Sequence, residues 1–180
     1  IVNGMSLYRR DGRFANAACV AGLSLAQLLG REVSALESLD WLGALEQAFY
    51  DYGGGYRAPF CRIQDFIHGK EATESAASVQ SSYPLGLIPA PLWELLPGAV
   101  SSTLREGLKE FCRKIRGFET GLIMGLESKT SAPIQVLREE DGRCLGFANL
   151  YLAGEGSGYA GGIISSATSG VKAALSIAGD

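Results

Sequence analysis

One run of residues indicates both the end of the fold and a candidate site: Asn149-Leu-Tyr-Leu-Ala-Gly154-Glu155-Gly156-Ser157-Gly158-Tyr159-Ala160-Gly161-Gly162-Ile163. The apolar residues 150–153 predict a short strand, the glycines predict a tight turn, and the apolar segment over 163–178 predicts a final helix. Free N–H groups and the dipole at a helix start can bind an anion, and glycines let a phosphate or flat ring approach closely. The plainer interpretation is a turn that uses glycine for steric reasons alone.

Three of these glycines also match a known nucleotide-binding pattern. Gly156, Gly158 and Gly161 have the spacing G-x-G-x-x-G. That pattern requires a second parallel strand after the helix, ending in an acidic residue about 20 residues on. Asp180 has the right separation, but the sequence stops directly after the helix and leaves no strand to hold it. We therefore do not interpret this stretch as an ADP-binding βαβ unit.

The composition narrows the class of protein. The chain has 180 residues, of which 47% are hydrophobic and 19% charged, with a formal net charge of −3. These values exclude intrinsic disorder and fit one domain of ordinary size. No basic surface is indicated, so we expect no nucleic-acid partner. No apolar run is long enough for a membrane span, so we expect no membrane partner.

The cysteine and histidine content argues against several kinds of site. The four cysteines lie far apart in sequence, and His68 is the sole histidine. We expect reduced, mostly buried thiols in a cytoplasmic protein, with no disulfide framework and no metal site. A catalytic triad is disfavoured for the same reason, and no residue has the profile of an obligatory acid or base.

The hydrophobic pattern predicts an α+β fold with mixed strands and helices. Strands are expected over residues 1–7, 17–25, 122–127, 134–137 and 150–153. Helices are expected from an N-cap at Ser38 to the glycines at 53–55, over 63–68, over 92–96, from Ser101 or Ser102 to Gly117, and over 163–178. The segment 70–91, rich in Ser, Ala, Pro and Gly, is predicted to be a long loop.

The glycine-rich stretch resembles the C-terminal flavin motif of bacterial FAD-dependent dehydrogenases, a largely uncharacterised family of two-domain flavoproteins. Upstream blocks are similar to family segments in the same order: Asn3-Gly4-Met5-Ser6, the run from Gly53 to Pro59, and the run from Gly125 to Pro133. The resemblance implies the C-terminal part of a longer protein, which agrees with the absence of an initiator Met. Residues 1–125 would form a substrate-side domain. Residues 126–180 would supply the last strand and helix of a Rossmann-like FAD domain.

The resemblance also implies roles for individual residues. Glu155, beside Gly154 and Gly156, would accept a hydrogen bond from the ribitol chain of FAD. Gly161, Gly162 and Ile163 would present N–H groups toward the pyrophosphate or the flavin pyrimidine carbonyl. On the substrate side, it points to Met5, Ser6, Lys129 and Thr130. The implied partners are FAD, a small-molecule substrate and the N-terminal FAD-binding domain of the same protein.

Two other functions fit the sequence and stay open at this point. One is a stand-alone module that binds a phosphate or nucleotide at the start of the last helix. The other is an interaction domain without a cofactor, dimerising through residues 163–177. That helix is apolar around most of its circumference, which is typical of a helix covered on most sides. We therefore expect residues 163–177 to self-associate when nothing covers them.

Overall fold

The computed structural model describes residues 1–2, 4, 7–70 and 78–179. In chain order, these form α1 (Leu25–Leu29), α2 (Ala35–Gly53), β1 (Ala58–Arg62), α3 (Ile63–His68), β2 (Leu87–Pro89), α4 (Leu92–Leu95), α5 (Gly98–Lys114), β3 (Leu122–Met124) and α6 (Ile163–Ala178). Short 3₁₀ turns lie at Phe118–Thr120 and Glu155–Ser157. Helices with one small mixed sheet confirm the predicted α+β class.

The chain divides into two compact units. The first unit comprises residues 1–33 and 40–128, and the second comprises residues 34–39 and 129–180.

The sheet of the first unit has the order β2-β1-β3. The central strand β1 pairs in parallel with β2, opposing Ala58 to Leu87, and antiparallel with β3, opposing Phe60 to Met124. Four consecutive residues of β1, from Ala58 to Cys61, are buried, as expected for a central strand covered on both faces. Strand β1 was not predicted from the sequence, and β2 lies inside the segment predicted to be a loop.

The core of the first unit forms where α3, α4 and α5 pack beside this sheet. One cluster joins nine buried side chains: Phe49, Cys61, Ile63, Phe66, Ile67, Ala90, Leu92, Leu108 and Leu126. The indole ring of Trp93 meets Phe66 edge to face, with the ring centroids 6.4 Å apart. The buried hydroxyl of Ser101 donates a hydrogen bond to the carbonyl oxygen of Trp93 at 2.9 Å, so its polar group is satisfied.

The predicted starts of α2 and α5 are wrong by several residues, because both helices begin before the predicted cap residues. Helix α2 begins at Ala35, because Ser34 and Glu37 form a reciprocal capping box with N–H···O distances of 3.2 and 2.9 Å. Ser38 instead lies inside the helix. Helix α5 begins at Gly98 after Pro97, which places both predicted caps, Ser101 and Ser102, within the helix.

Several predicted strands are absent from the described residues. The described positions of 1–7 carry no strand. Residues 17–24 are largely exposed and lead into α1. The predicted strands over 134–137 and 150–153 are replaced by isolated bridges, Arg138 to Cys144 and Arg143 to Tyr151. An apolar run becomes a strand only where a partner strand completes its hydrogen bonds, and periodicity does not reveal the partner.

The second unit has almost no apolar core of its own. Among its described residues, only Cys144 and Ser157 are buried. Its chain turns back on itself at Asp141–Gly142 and again before the glycine-rich stretch, then ends in α6. Hydrogen bonds between backbone groups, such as Cys144 N–H to Leu150 oxygen at 2.8 Å, define its path. The shape of this unit therefore depends on polar contacts more than on apolar burial.

Candidate functional site

The glycine loop, residues 154–162, leads from the isolated bridge at Tyr151 to the start of α6. Gly154 has φ of 81°, a conformation that favours glycine, and it introduces the 3₁₀ turn Glu155–Ser157. The buried hydroxyl of Ser157 donates to the Gly154 oxygen at 2.6 Å. The Gly154 N–H donates to Ser169 Oγ on α6 at 3.2 Å. The first half of the loop is thus held from within and from the helix behind it.

Gly158 is required for packing within the protein. Its φ is 81°, and a Cβ there would clash with the carbonyl oxygen of Ile134 and lie 2.7 Å from the Gln135 Cα. The backbone at 134–135 fills the space that a side chain would need. Gly158 belongs to the G-x-G-x-x-G match in the sequence. In the structure, Gly158 allows the loop to pack against the backbone at 134–135. This packing explains why a glycine stands at position 158 without invoking a ligand.

Gly161 and Gly162 are exposed and open, in contrast to Gly158. A Cβ added at Gly156 or Gly161 would have no atom within 4 Å, and one added at Gly162 would have only Ser165 Oγ, at 3.7 Å. These three positions leave room for another group to approach the backbone closely. They are the glycines of the loop whose surroundings suit a ligand.

The start of α6 presents backbone donors beside these open glycines. The first backbone hydrogen bond of the helix runs from the Ser166 N–H to the Gly162 oxygen at 2.8 Å. The N–H groups of Ile163, Ile164 and Ser165 therefore have no acceptor within the helix. Ser165 Oγ accepts from the Gly162 N–H at 3.1 Å and so fixes the cap. With the helix dipole, these donors can stabilise an anion or a carbonyl oxygen.

Of the remaining predicted residues, Glu155 lies in the glycine loop, while Lys129 and Thr130 lie outside it. Glu155 is exposed in the first turn of the 3₁₀ segment, where its carboxylate is accessible. Lys129 and Thr130 are exposed in a separate loop, outside any helix or strand. Met5 and Ser6 lie outside the described residues. The predicted cofactor-binding residues lie in one loop and helix start, as their closeness in the sequence requires: Gly154, Glu155, Gly156, Gly161, Gly162 and Ile163.

Arg138 and Tyr159 were not predicted from the sequence. The guanidinium carbon of Arg138 lies 3.7 Å from the centroid of the Tyr159 ring, and its Nη1 donates to the Leu152 oxygen at 3.0 Å. The Tyr159 hydroxyl donates to the Val136 oxygen at 3.0 Å. No periodic pattern joins residues 21 positions apart, so only the aromatic residue inside the glycine run could have drawn attention to this pair.

Helix α6 has its apolar face exposed. The half-buried positions are Ser166, Ser169, Ala173 and Ser176, which are small and mostly polar. The large apolar side chains are exposed by 47% to 89%: Ile163, Ile164, Val171, Leu175 and Ile177. The usual arrangement of a surface helix is the reverse. An exposed apolar stripe of this kind is typical of an interaction surface.

The first unit contains a surface cavity that the sequence did not indicate. It has a volume of about 360 Å³ and is lined by Ile1, Gly43, Glu46, Gln47, Tyr50 and Tyr56. The rings of Tyr50 and Tyr56 meet edge to face, 5.2 Å apart. Ser128, from a block that carried the family resemblance, donates a hydrogen bond to Glu46.

The cysteines are free thiols with different surroundings. Cys61 is fully buried, and burial raises its pKa to about 12. Desolvation also raises the pKa of the exposed Cys19 and of the half-buried Cys112. These shifts favour the neutral thiol over the reactive thiolate.

Within the described ranges, no group of three His, Cys, Asp or Glu side chains is arranged to hold a metal ion. None of the helices described is both long and apolar enough to cross a bilayer.

Comparison with known proteins identifies the family. A family model described as "FAD-dependent protein, C-terminal domain-like" matches residues 1–130, which ends before the glycine loop. An uncharacterized protein of Clostridium beijerinckii is 36% identical over 177 residues, covering 97% of this chain and 33% of that protein. The chain thus spans about a third of the length of this relative, and the aligned part is long enough to reach the glycine loop. The chain belongs to the family of FAD-dependent proteins, in its C-terminal domain-like part.

Proposed function

We propose that residues 1–180 are the C-terminal part of an FAD-dependent oxidoreductase and supply part of its flavin site. The observation that carries this proposal is the start of α6, where N–H groups without an acceptor in the helix lie beside the open glycines at 161 and 162. The family match supports FAD as the ligand. The complete polypeptide that contains residues 1–180 is called the parent protein below.

Different groups of the glycine loop would bind different parts of FAD. The N–H groups of Gly161 and Ile163 suit negative oxygen atoms, such as a pyrophosphate or a reduced flavin ring. The Gly162 N–H would join them by giving up its hydrogen bond to Ser165 Oγ. The exposed Glu155 carboxylate suits a hydroxyl donor, such as the ribitol chain. When bound, FAD supplies hydride or electron transfer at its ring. The role of the protein residues would be to bind and orient it.

The rest of the parent protein is the proposed cover for α6. The second unit buries only two of its described side chains, while the large apolar residues of α6 are exposed. The relative is about three times as long as the aligned chain, so a partner domain within one polypeptide has the required length. We propose that this N-terminal portion carries the ADP-binding half of the site and packs on the exposed face of α6. The first unit then lies on the substrate side, with the cavity at Tyr50 and Tyr56 as the place to search for substrate contacts.

The first test is FAD binding to the parent protein, measured by quenching of flavin fluorescence. Replacing Glu155 by Ala removes a charge-assisted hydrogen bond, so we expect FAD binding to weaken by roughly 10- to 100-fold. Glu140→Ala is the matched control, because Glu140 is an exposed carboxylate in the same unit, outside the loop. Equal effects of the two substitutions would contradict the role of Glu155. No saturable FAD binding by the parent protein would overturn the proposal.

The exposed face of α6 also favours a second function, an interaction domain that dimerises without a cofactor. This function predicts that the chain of residues 1–180 self-associates and is indifferent to flavin. Sedimentation at rising concentration measures the association, and Val171→Glu should reverse it by placing a charge on the apolar face. A monomer at high concentration, or a dimer unaffected by the substitution, would remove this alternative. A stand-alone nucleotide site would instead bind FAD or ADP equally with and without the rest of the parent protein.

A further inference from the structure

We propose that Arg138 is a positioning residue that clamps the chain on both sides of the 3₁₀ turn Glu155–Ser157, and so holds the glycine loop and the start of α6 ready for the ligand. The proposal rests on the flavin site proposed above. It assigns a role to a side chain outside the glycine-rich stretch.

The contacts of Arg138 bridge the loop. Its Nη1 donates to the carbonyl oxygen of Leu152, two residues before the loop begins. Its guanidinium lies over the ring of Tyr159, which is beyond the 3₁₀ turn and just before Gly161. The distance of 3.7 Å to the ring centroid is well inside the range of a cation–π contact. One side chain therefore connects the chain entering the turn to the chain leaving it.

The backbone next to Arg138 supports the same loop. The Val136 N–H donates to the Ser157 oxygen at 3.1 Å, and the Val136 oxygen accepts from the Tyr159 hydroxyl at 3.0 Å. Gly158 meets the backbone at 134–135 directly. Segment 134–138 is thus the surface on which residues 157–159 rest. Because few side chains in this unit are buried, these contacts set the loop's geometry in place of a core.

Arginine is suited to this task in a way that lysine is not. A guanidinium is planar, is charged at every physiological pH, and can donate along its edge while its face covers an aromatic ring. A lysine ammonium is a compact, strongly hydrated charge that cannot make both contacts in this geometry. The clamp therefore predicts that Arg138→Lys fails although it conserves the charge.

The test compares four variants of the parent protein by two measurements. The variants are Arg138→Gln, Arg138→Lys, Tyr159→Leu and the control Arg143→Gln, which removes an equal charge from a half-buried arginine in the same unit. The first measurement is the dissociation constant for FAD. The second is hydrogen exchange of the amides at 154–158 in the flavin-free protein, which reports on the loop independently of the cofactor.

We expect both Arg138 substitutions and Tyr159→Leu to weaken FAD binding by about tenfold and to speed amide exchange in the loop, while Arg143→Gln changes neither. The double variant Arg138→Gln with Tyr159→Leu should lose less affinity than the sum of the two single losses, because both substitutions remove the same cation–π contact. Equal effects of Arg138→Gln and Arg143→Gln, normal behaviour of Arg138→Lys, or unchanged exchange would overturn the clamp. If the wild-type parent protein does not bind FAD, the flavin proposal fails, and the exchange data alone decide whether Arg138 holds the loop.

Discussion

The two units of this chain reach a defined shape by different means. The first unit joins nine buried side chains in one cluster, with β1 buried along most of its length. The second unit buries Cys144 and Ser157 among its described residues and leaves the large apolar side chains of α6 exposed. Folding free energy comes mainly from apolar burial, so the first unit has a source of stability that the second lacks. The candidate site lies in the second unit.

This difference has a functional meaning under the proposed function. A loop held by hydrogen bonds and close backbone packing has a precise geometry only while its surroundings keep those contacts in place. The exposed face of α6 offers a place where a covering domain can supply that support. Flavin binding and docking of the rest of the polypeptide would then strengthen each other, because both stabilise the same loop and helix.

The largest expected effect is the difference in stability loss between a substitution in the core of the first unit and one on the exposed face of α6. Phe66 is completely buried, and Phe66→Ala should lower the free energy of unfolding by about 3–5 kcal/mol through lost burial and a cavity. Ile163 is 89% exposed, and Ile163→Ala should change it by less than about 0.5 kcal/mol in the chain of residues 1–180. Urea unfolding followed by circular dichroism measures both. Similar costs for the two substitutions would remove the contrast between the units.

The next effect concerns the two kinds of glycine in the loop. Gly158→Ala should destabilise the second unit by about 1–3 kcal/mol, because its φ is positive and the added Cβ meets backbone. Gly161→Ala should have little effect on stability, since its surroundings are open. Hydrogen exchange at 134–138 and 154–158 locates the damage. If Gly161→Ala disrupts these amides as much as Gly158→Ala, the division into packing and ligand-facing glycines is wrong.

The free energy of unfolding of the first unit should fall at alkaline pH because of the buried thiol of Cys61. Burial holds its pKa near 12 in the folded protein, against 9.0 for the free thiol. Above pH 9 the unfolded chain loses this proton while the folded chain keeps it, so stability falls as pH rises, by about 1.4 kcal/mol per pH unit. Below that pH this contribution is constant. Urea unfolding between about pH 8 and about pH 10.5 should show the slope in the wild type and a smaller one in Cys61→Ala; equal slopes would contradict it.

The smallest effect is a difference in thiol reactivity between two buried cysteines. Cys61 and Cys144 are 0% and 4% exposed, so static exposure predicts similar protection. Cys61 lies in the core cluster, where exposure requires extensive unfolding, while Cys144 needs only local opening of a unit with little core. We expect iodoacetamide to modify the exposed Cys19 first, then Cys144, then Cys61, as followed by mass spectrometry. Equal rates for Cys61 and Cys144 would show that the units open together.

Local sequence signals predicted some elements closely. The bounds of α3 agree with the predicted helix over 63–68, α4 with the helical turn over 92–96, and α6 with the helix over 163–178. Triple glycine at 53–55 ends α2 as expected. These elements depend on nearby residues, because helical hydrogen bonds and caps join positions only a few residues apart. The strands β1 and β2 were missed because their pairing joins positions almost 30 residues apart.

The candidate site could likewise be predicted where it depends on neighbouring residues, and not where it depends on contacts between distant ones. The family resemblance indicated the loop from Gly154 to Ile163, and the family match over residues 1–130 confirms an FAD-dependent family. The roles of Glu155, Gly161, Gly162 and Ile163 stay predictions. The sequence could not separate Gly158, which packs on backbone, from the open Gly161. Nor could it pair Arg138 with Tyr159, since no local rule links an arginine to an aromatic ring so far along the chain.

The α+β class, the helix over 163–178 and the family of the chain could all be inferred from the amino-acid sequence, because composition, helical periodicity and ordered motifs are local properties of a chain. The three-dimensional arrangement was needed to show which glycine is enclosed, which face of α6 is exposed and which arginine contacts the loop. Each of these depends on atoms from distant positions meeting in space. Such meetings follow from the free energy of the whole fold and cannot be read from any single segment.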